Sequence, residues 1–195
     1  MISKEKLLDF DATVVEFAKN ELIFSVQQQA LFYYQIKEGV VKIYNTTDDG
    51  KEFTQGIFET SQSFGEPPLF GNFPYPASAI ATEKTTLYRL PKAAFFKLLE
   101  ANFDVHIKFT QNLCNRLRYK SMIMKEVSVH KPEHRILALL KHLKAESKVT
   151  SDYLVKLTRQ QIADLTGLRV ETVIRAIKNL EETDDLKRIA RKVYL

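Results

Sequence analysis

Between Val14 and Leu90 the chain is patterned in twos. Val14, Glu16 and Ala18 share one face of an extended segment, as do Leu22, Phe24 and Val26. Val41 with Ile43, and Thr54 with Gly56 and Phe58, repeat the spacing more loosely. Turn formers separate these runs. Asp49-Gly50 is a tight-hairpin signal, because glycine tolerates positive φ, and Lys37-Glu38-Gly39 and Asn72-Phe73-Pro74 are further breaks. Short strands at this spacing predict a small antiparallel barrel or sandwich.

After Leu90 the period lengthens to three or four. Pro91 suits a helix start, where its missing N–H is not needed, and a short helix over Ala93–Leu99 follows. A long helix is predicted from Asn102 to Val127. Its apolar positions Val105, Phe109, Leu113, Leu117, Met124 and Val127 form one stripe, with Lys108, Arg118 and Lys125 opposite. Such a stripe needs a partner: its own barrel, a second copy of the chain, or both. Residues 128–131 read as a hinge. Pro132 opens the next helix, which buries Ile136, Leu137, Leu139, Leu140 and Leu143. Residues 150–156 have strand character. Thr158 then reads as an N-cap, with Gln161 completing a capping box.

Charge sharpens the division. Residues 1–127 carry 15 basic and 15 acidic side chains, whereas 128–195 carry 14 and 9, so the entire net charge of +5 falls in the C-terminal third. A basic surface draws in polyanions. The apolar runs are too short for a membrane span, and the N-terminus has no signal-peptide core. The single cysteine, Cys114, excludes a disulfide within one chain and fits a reducing, cytoplasmic setting.

The most informative stretch runs from Leu157 to Glu182. It predicts a short helix over Arg159–Leu165, a turn at Gly167 and a second helix over Val170–Leu180. Ile162, Ala163, Leu168, Val173, Ile177 and Leu180 pack the pair together. Arg169, Glu171, Thr172, Arg175 and Lys178 are left outward, as a helix entering a major groove requires. A helical hairpin that touches only protein is the plainer alternative.

This segment resembles the helix-turn-helix of the Crp/Fnr family of bacterial regulators (the catabolite activator and fumarate-nitrate regulator proteins). Thr158, Arg159, Ile162, Ala163, Gly167, Glu171, Thr172, Val173 and Arg175 meet the family pattern. The resemblance reaches forward to a cyclic-nucleotide-binding-type barrel, with Gly39, Gly50 and Phe64-Gly65-Glu66 at its characteristic points. It implies an α+β fold: a β-barrel over 1–100, a dimerisation helix over 101–127 and a winged helix-turn-helix over 128–195. Residues 185–195 would supply a wing, although they contain no glycine turn. The implied function is a transcription regulator that binds palindromic double-stranded DNA as a homodimer, with RNA polymerase a candidate further partner. Glu171 and Arg175 would read bases. Arg169 and Lys178 would hold phosphates, with Thr158, Arg159 and Gln160 at the first helix.

One part of the family pattern is missing. Cyclic-nucleotide-binding members follow the Gly-Glu pair with Arg-Ser or Arg-Thr before an alanine. Here Gly65 and Glu66 are kept, but Tyr75 and Pro76 precede Ala77. Tyrosine has no positive charge and proline no N–H, so a cyclic phosphate would lack its partners. The expectation is therefore no cofactor and no tight cAMP binding. Glu66 is read as structural, capping the short helix after it or bonding local amides, and Gly65, Glu66, Tyr75 and Ala77 mark the candidate effector pocket. One cysteine cannot hold an iron–sulfur cluster, and His106, His130, His134 and His142 show no metal or haem spacing. With no phosphate loop, His-Glu helix motif or nucleophile elbow, an enzyme is not expected. The alternatives are a true cyclic-nucleotide sensor with an atypical pocket, and a barrel-based protein-interaction module with a vestigial helix-turn-helix.

Overall fold

A computed structural model describes residues 2–46, 50, 52–129, 131–147, 149, 151–190 and 192–195, with the side chains of 123 and 126–129 left aside. In chain order the elements are α1 (Lys4–Asp9), β1 (Thr13–Phe17), β2 (Leu22–Phe24), β3 (Phe32–Glu38), β4 (Val40–Thr46), β5 (Glu52–Glu59), β6 (Ser63–Phe64), α2 (Pro67–Gly71), β7 (Ser78–Ala81) and β8 (Thr85–Pro91). They continue with α3 (Lys92–Ala101), α4 (Phe103–Val129), α5 (Pro132–Ser147), α6 (Arg159–Thr166), α7 (Val170–Glu182), β9 (Lys187–Ile189) and β10 (Lys192–Tyr194). Two compact units divide the chain, Met1–Leu113 and Cys114–Leu195. The division falls inside α4, whereas the sequence reading set 101–127 apart as an element of its own.

The first unit is the expected antiparallel β domain. Its strands form two four-stranded sheets, ordered β1-β8-β3-β6 and β2-β7-β4-β5, which do not close into a continuous barrel. The β4–β5 hairpin is present, with Thr46 opposite Glu52; Gly50 has φ +78°, and Asp49 lies outside the described residues. Between the sheets lies an aromatic cluster of Phe24, Tyr34, Phe58, Phe64 and Tyr75. A second cluster joins β3 to the helices: the Tyr33 ring stacks on Phe95 at 4.4 Å and meets Phe109 edge-on. β3 is buried from Tyr33 to Ile36 without alternation, since helices cover its outer side. Pro91 stands just before the first residue of α3, in extended conformation.

α4 buries only the first half of its stripe. Val105 and Phe109 are buried in the core of the first unit, and Leu113 packs against it. Leu117 and Met124 are each 67% exposed. The reason is position along the helix: Val105, Phe109 and Leu113 belong to the first unit and meet its core, whereas Leu117 and Met124 lie beyond its last residue. Phe103, Ile107, Thr110, Cys114, Leu117, Ser121 and Met124 recur in steps of four and three, and all are exposed. The helix continues through Val129, so residues 128 and 129 are helical where a hinge was expected; His130 and the side chain of Val127 lie outside the described residues. Among the described residues, no helix is long and apolar enough to cross a membrane.

The second unit packs α5, α6 and α7 over a core that includes Ile136, Leu139, Leu140, Ile162, Val173, Ile177 and Leu180. Two polar ties hold the helices. Asn179 donates to the Glu133 carboxylate at 2.8 Å, and Arg135 donates to the Thr166 carbonyl at 3.1 Å. The expected strand character of 150–156 appears as a bridge between Leu154 and Tyr194, with Val155 N–H donating to the Val193 carbonyl at 2.9 Å. Thr150 lies outside the described residues.

Candidate nucleic-acid interface and effector pocket

The helix-turn-helix begins with a complete capping box. Thr158 Oγ1 accepts from Gln161 N–H at 3.1 Å, and the Gln161 side chain accepts from Thr158 N–H at 2.8 Å. This satisfies two of the N–H groups that a helix start leaves open. α6 ends at Gly167, whose φ of +67° is the left-handed conformation glycine adopts without strain. The turn delivers the chain to Arg169, the extended residue before α7.

α7 is sharply two-sided. Val173, Ala176, Ile177 and Leu180 are buried, while Glu171, Ile174, Arg175 and Lys178 are exposed together on the other side. Glu171 and Arg175 are one turn apart, with Ile174, 53% exposed, beside them. Lys178 pairs with Glu182 at 3.7 Å between two exposed groups. Thr172 is half-buried at the edge of this face rather than fully outward. Arg169 is exposed at the N-terminal end of α7, where open N–H groups also favour an anion.

At the first helix, Thr158 and Gln160 are exposed, and Gln160 donates to Asp164 at 2.7 Å. Arg159 is half-buried. Burial and then the nearby Arg188 guanidinium hold its pKa below the usual arginine range. Arg188, on the β9–β10 hairpin, pairs with Glu181 at 3.0 Å. That hairpin is a minimal wing, with Lys187 opposite Tyr194 and Lys192 opposite Ile189. Its turn holds Ala190 at φ +48°. Lys187, Arg188 and Lys192 are exposed basic residues that the sequence reading did not single out; the basic excess of the C-terminal third was the signal that pointed to them.

The four pocket residues do converge in the first unit, but on a filled space. The Tyr75 ring is 2% exposed and lies flat on Phe24, with centroids 3.6 Å apart and planes 6° apart. Gly65, at φ +73°, sits against both rings: a Cβ there would be 3.1 Å from Phe24 and 3.2 Å from Tyr75. The Tyr75 backbone is also engaged, donating to the Gln28 carbonyl at 2.9 Å and accepting from Gln27 N–H at 2.8 Å. Burial first, then the nearby Tyr34 and Glu66, hold its hydroxyl well above the usual phenol range. Ala77 is buried alongside.

Glu66 stands at the N-cap position of α2 but makes no side-chain cap bond, so of the two structural roles expected for it the capping one is not taken up. Its backbone is already helical, and Pro67 and Pro68 remove the first N–H groups a cap would accept from. The Leu69 N–H donates instead to the Glu66 carbonyl at 2.9 Å. The buried carboxylate accepts from the Ser63 hydroxyl. β8 carries a guanidinium, Arg89, but it lies over the Phe32 ring at 4.8 Å. These residues do not fit a cyclic phosphate: the space is occupied by an aromatic pair, and positions 75 and 76 offer neither charge nor a free N–H.

Among the described residues, no group of His, Cys, Asp and Glu is placed to hold a metal ion. His142 packs on Tyr119, with ring centroids 4.2 Å apart, and lies 3.4 Å from Glu146.

Comparison with known proteins bears on both parts. The family model for the cyclic nucleotide-binding domain matches residues 14–102, and that for the Crp-like helix-turn-helix domain matches residues 134–194. The cAMP-activated global transcriptional regulator CRP of Haemophilus influenzae is 30% identical over 169 residues, covering 85% of this chain and 75% of that protein. The nitrogen fixation regulation protein FixK of Bradyrhizobium diazoefficiens is 26% identical over 171 residues, covering 86% and 71%. The structure of FixK2 from Bradyrhizobium japonicum superposes with a TM-score of 0.76 at 23% identity, covering 94% of this chain and 92% of that one.

Proposed function

Because the chain belongs to the Crp/Fnr family of DNA-binding transcription regulators, we propose that it acts as a homodimer that reads palindromic DNA through α7 and does so without cAMP. The observation that carries this reading is the exposed face of α7, where Glu171, Ile174, Arg175 and Lys178 stand together over a buried apolar side. Glutamate accepts from cytosine N4, arginine donates to guanine O6 and N7, and an apolar side chain meets a thymine methyl. That set favours TTG-like half-sites with centres about 34 Å apart. Arg169, Lys178, Gln160 and Arg159 would hold phosphates, with Lys187, Arg188 and Lys192 on the wing.

The exposed four-three repeat on α4 supports assembly. Steps of four and three are the spacing of a two-stranded parallel coil, so a second copy covers Phe103, Ile107, Leu117 and Met124. In this reading the seam runs along a helix face separate from the one that buries Val105 and Phe109. The filled space around Tyr75 supports independence from cyclic nucleotides. Selection of binding sites from a random duplex library is the direct test. Recovery of a palindrome with TTG-like half-sites is expected, and enrichment only in the presence of cAMP, or no enrichment at all, would overturn the reading.

A further inference from the structure

A cavity separate from the aromatic interior opens between α1, β3 and the first turns of α4. It has a volume of about 160 Å³, is partly open to solvent, and is lined by Ile2, Ser3, Lys6, Tyr33, Asp104, Val105, Lys108, Phe109 and Asn112. Four of these, Ile2, Tyr33, Val105 and Phe109, are buried apolar or aromatic groups. The remainder are polar and stand toward the rim. The wall is built rather than loose. The buried Gln35 side chain accepts from Ile2 N–H at 3.2 Å and from the Tyr33 hydroxyl at 2.9 Å, and donates to the Ile2 carbonyl at 2.9 Å. Ser3 caps α1.

Size and charge narrow the occupant. A cavity of about 150 Å³ lined by apolar groups accepts a benzene-sized ring. At the rim, Lys6 pairs with Asp104 at 3.6 Å. Lys108 has no ion-pair partner among the described residues, which leaves one uncompensated cation at the mouth of an apolar cleft. We propose that this cavity binds a small aromatic carboxylate, with its ring among Ile2, Tyr33, Val105 and Phe109 and its carboxylate at Lys108. Asn112 adds a polar side chain to the lining. The site is independent of the DNA-binding reading, since it asks only that the folded chain take up a ligand. It lies on the face of α4 opposite the exposed repeat, so an occupant would brace that helix against α1.

The test uses the full chain and 4-fluorobenzoate, followed by fluorine NMR at constant ionic strength. Broadening is expected, with a dissociation constant on the order of a millimolar or tighter for a ligand of this size. Lys108→Glu, a change on an exposed side chain, should weaken binding about fivefold or more. Val105→Phe should abolish it by filling the cavity, with circular dichroism confirming the fold. The proposal is overturned if no broadening occurs at about 5 mM ligand, if Lys108→Glu binds as well as the parent chain, or if 4-fluorobenzyl alcohol binds as tightly as the carboxylate.

Discussion

In the β domain, Gly65 and Glu66 are retained, yet the space beside them holds the Tyr75 ring against Phe24. In α7, Glu171 and Arg175 are likewise retained, and both are exposed on one face. Two retained motifs have met different fates. A buried ligand site is a set: removing one counter-charge makes the remaining polar groups a cost, and the structure then does better to fill the space with apolar surface. A groove-reading face tolerates exchange because each side chain is paid for separately in water. On α7, the exposed Ile174 stands beside Glu171 and Arg175 and leaves both side chains in place.

The comparison depends on the reading helix working in pairs, and the largest expected effect tests that. Leu117→Asp, in the middle of the exposed repeat, should give monomers by analytical ultracentrifugation and lower affinity for a palindromic site by about 10²–10⁴-fold, because the two half-sites no longer act together. Leu113→Asp should instead lower the stability of the first unit, since Leu113 packs against its core. If the Leu117 variant still sediments as a dimer, the seam is elsewhere.

Next comes the filled pocket. Tyr75→Ala removes a ring that is 2% exposed and stacked at 3.6 Å. A loss of about 3–5 kcal/mol in urea unfolding is expected, as for other large buried aromatics. Calorimetry on the parent chain should show no heat of binding with cAMP or cGMP. A loss below about 1 kcal/mol would mean that the ring is not a structural plug, and the contrast with α7 would lose half its basis.

How far this was legible in sequence depended on whether the signal was local. Thr158, Gln161 and Gly167 fix the helix-turn-helix through contacts a few residues apart, and the helices start and stop where those residues say. The wing gave no such mark, because its turn uses Ala190 at φ +48° where a glycine would have announced it. α1 is six residues long, and the Ile2 segment just before it is anchored by Gln35, 33 positions from Ile2. β3 shows no alternation because both its faces are covered. On α4, the three-four spacing joins Val105, Phe109, Leu113, Leu117 and Met124 in one stripe, and it carries no mark of where along that stripe the first unit's core ends. In the pocket, the loss of arginine at position 75 was legible. That the tyrosine would lie flat on Phe24 and close the space was a matter of packing between β2 and the segment before β7.

A smaller effect sharpens the other side of the comparison. Arg175→Ala removes an exposed guanidinium from the reading face without touching the core of the second unit. On the selected site it should cost about 1–3 kcal/mol and relax preference at one base pair. Competition binding against a panel of single-base variants measures both quantities. Unchanged base preference would show that Arg175 does not read sequence, and the case for a retained reading face would then rest on Glu171 alone.

The smallest expected effect separates reading from holding. Lys178 lies one turn beyond Ile174 and pairs with Glu182 at 3.7 Å, with both groups largely exposed. An ion pair between solvated side chains is readily exchanged for one with a phosphate. Each lysine–phosphate contact releases about one counterion from the duplex, and the logarithm of affinity falls with the logarithm of salt accordingly. Lys178→Ala should therefore weaken all sequences alike and reduce the salt slope by about one. Helix stability should hardly change, because the i,i+4 pair lost is worth only about 0.3–0.5 kcal/mol. Anisotropy titrations over a salt series, on the selected site and on random duplex, give the slope and the specificity ratio together. A changed ratio with an unchanged slope would move Lys178 from the phosphate-holding group to the base-reading group, and the exposed face of α7 would be wider than Glu171 and Arg175 define.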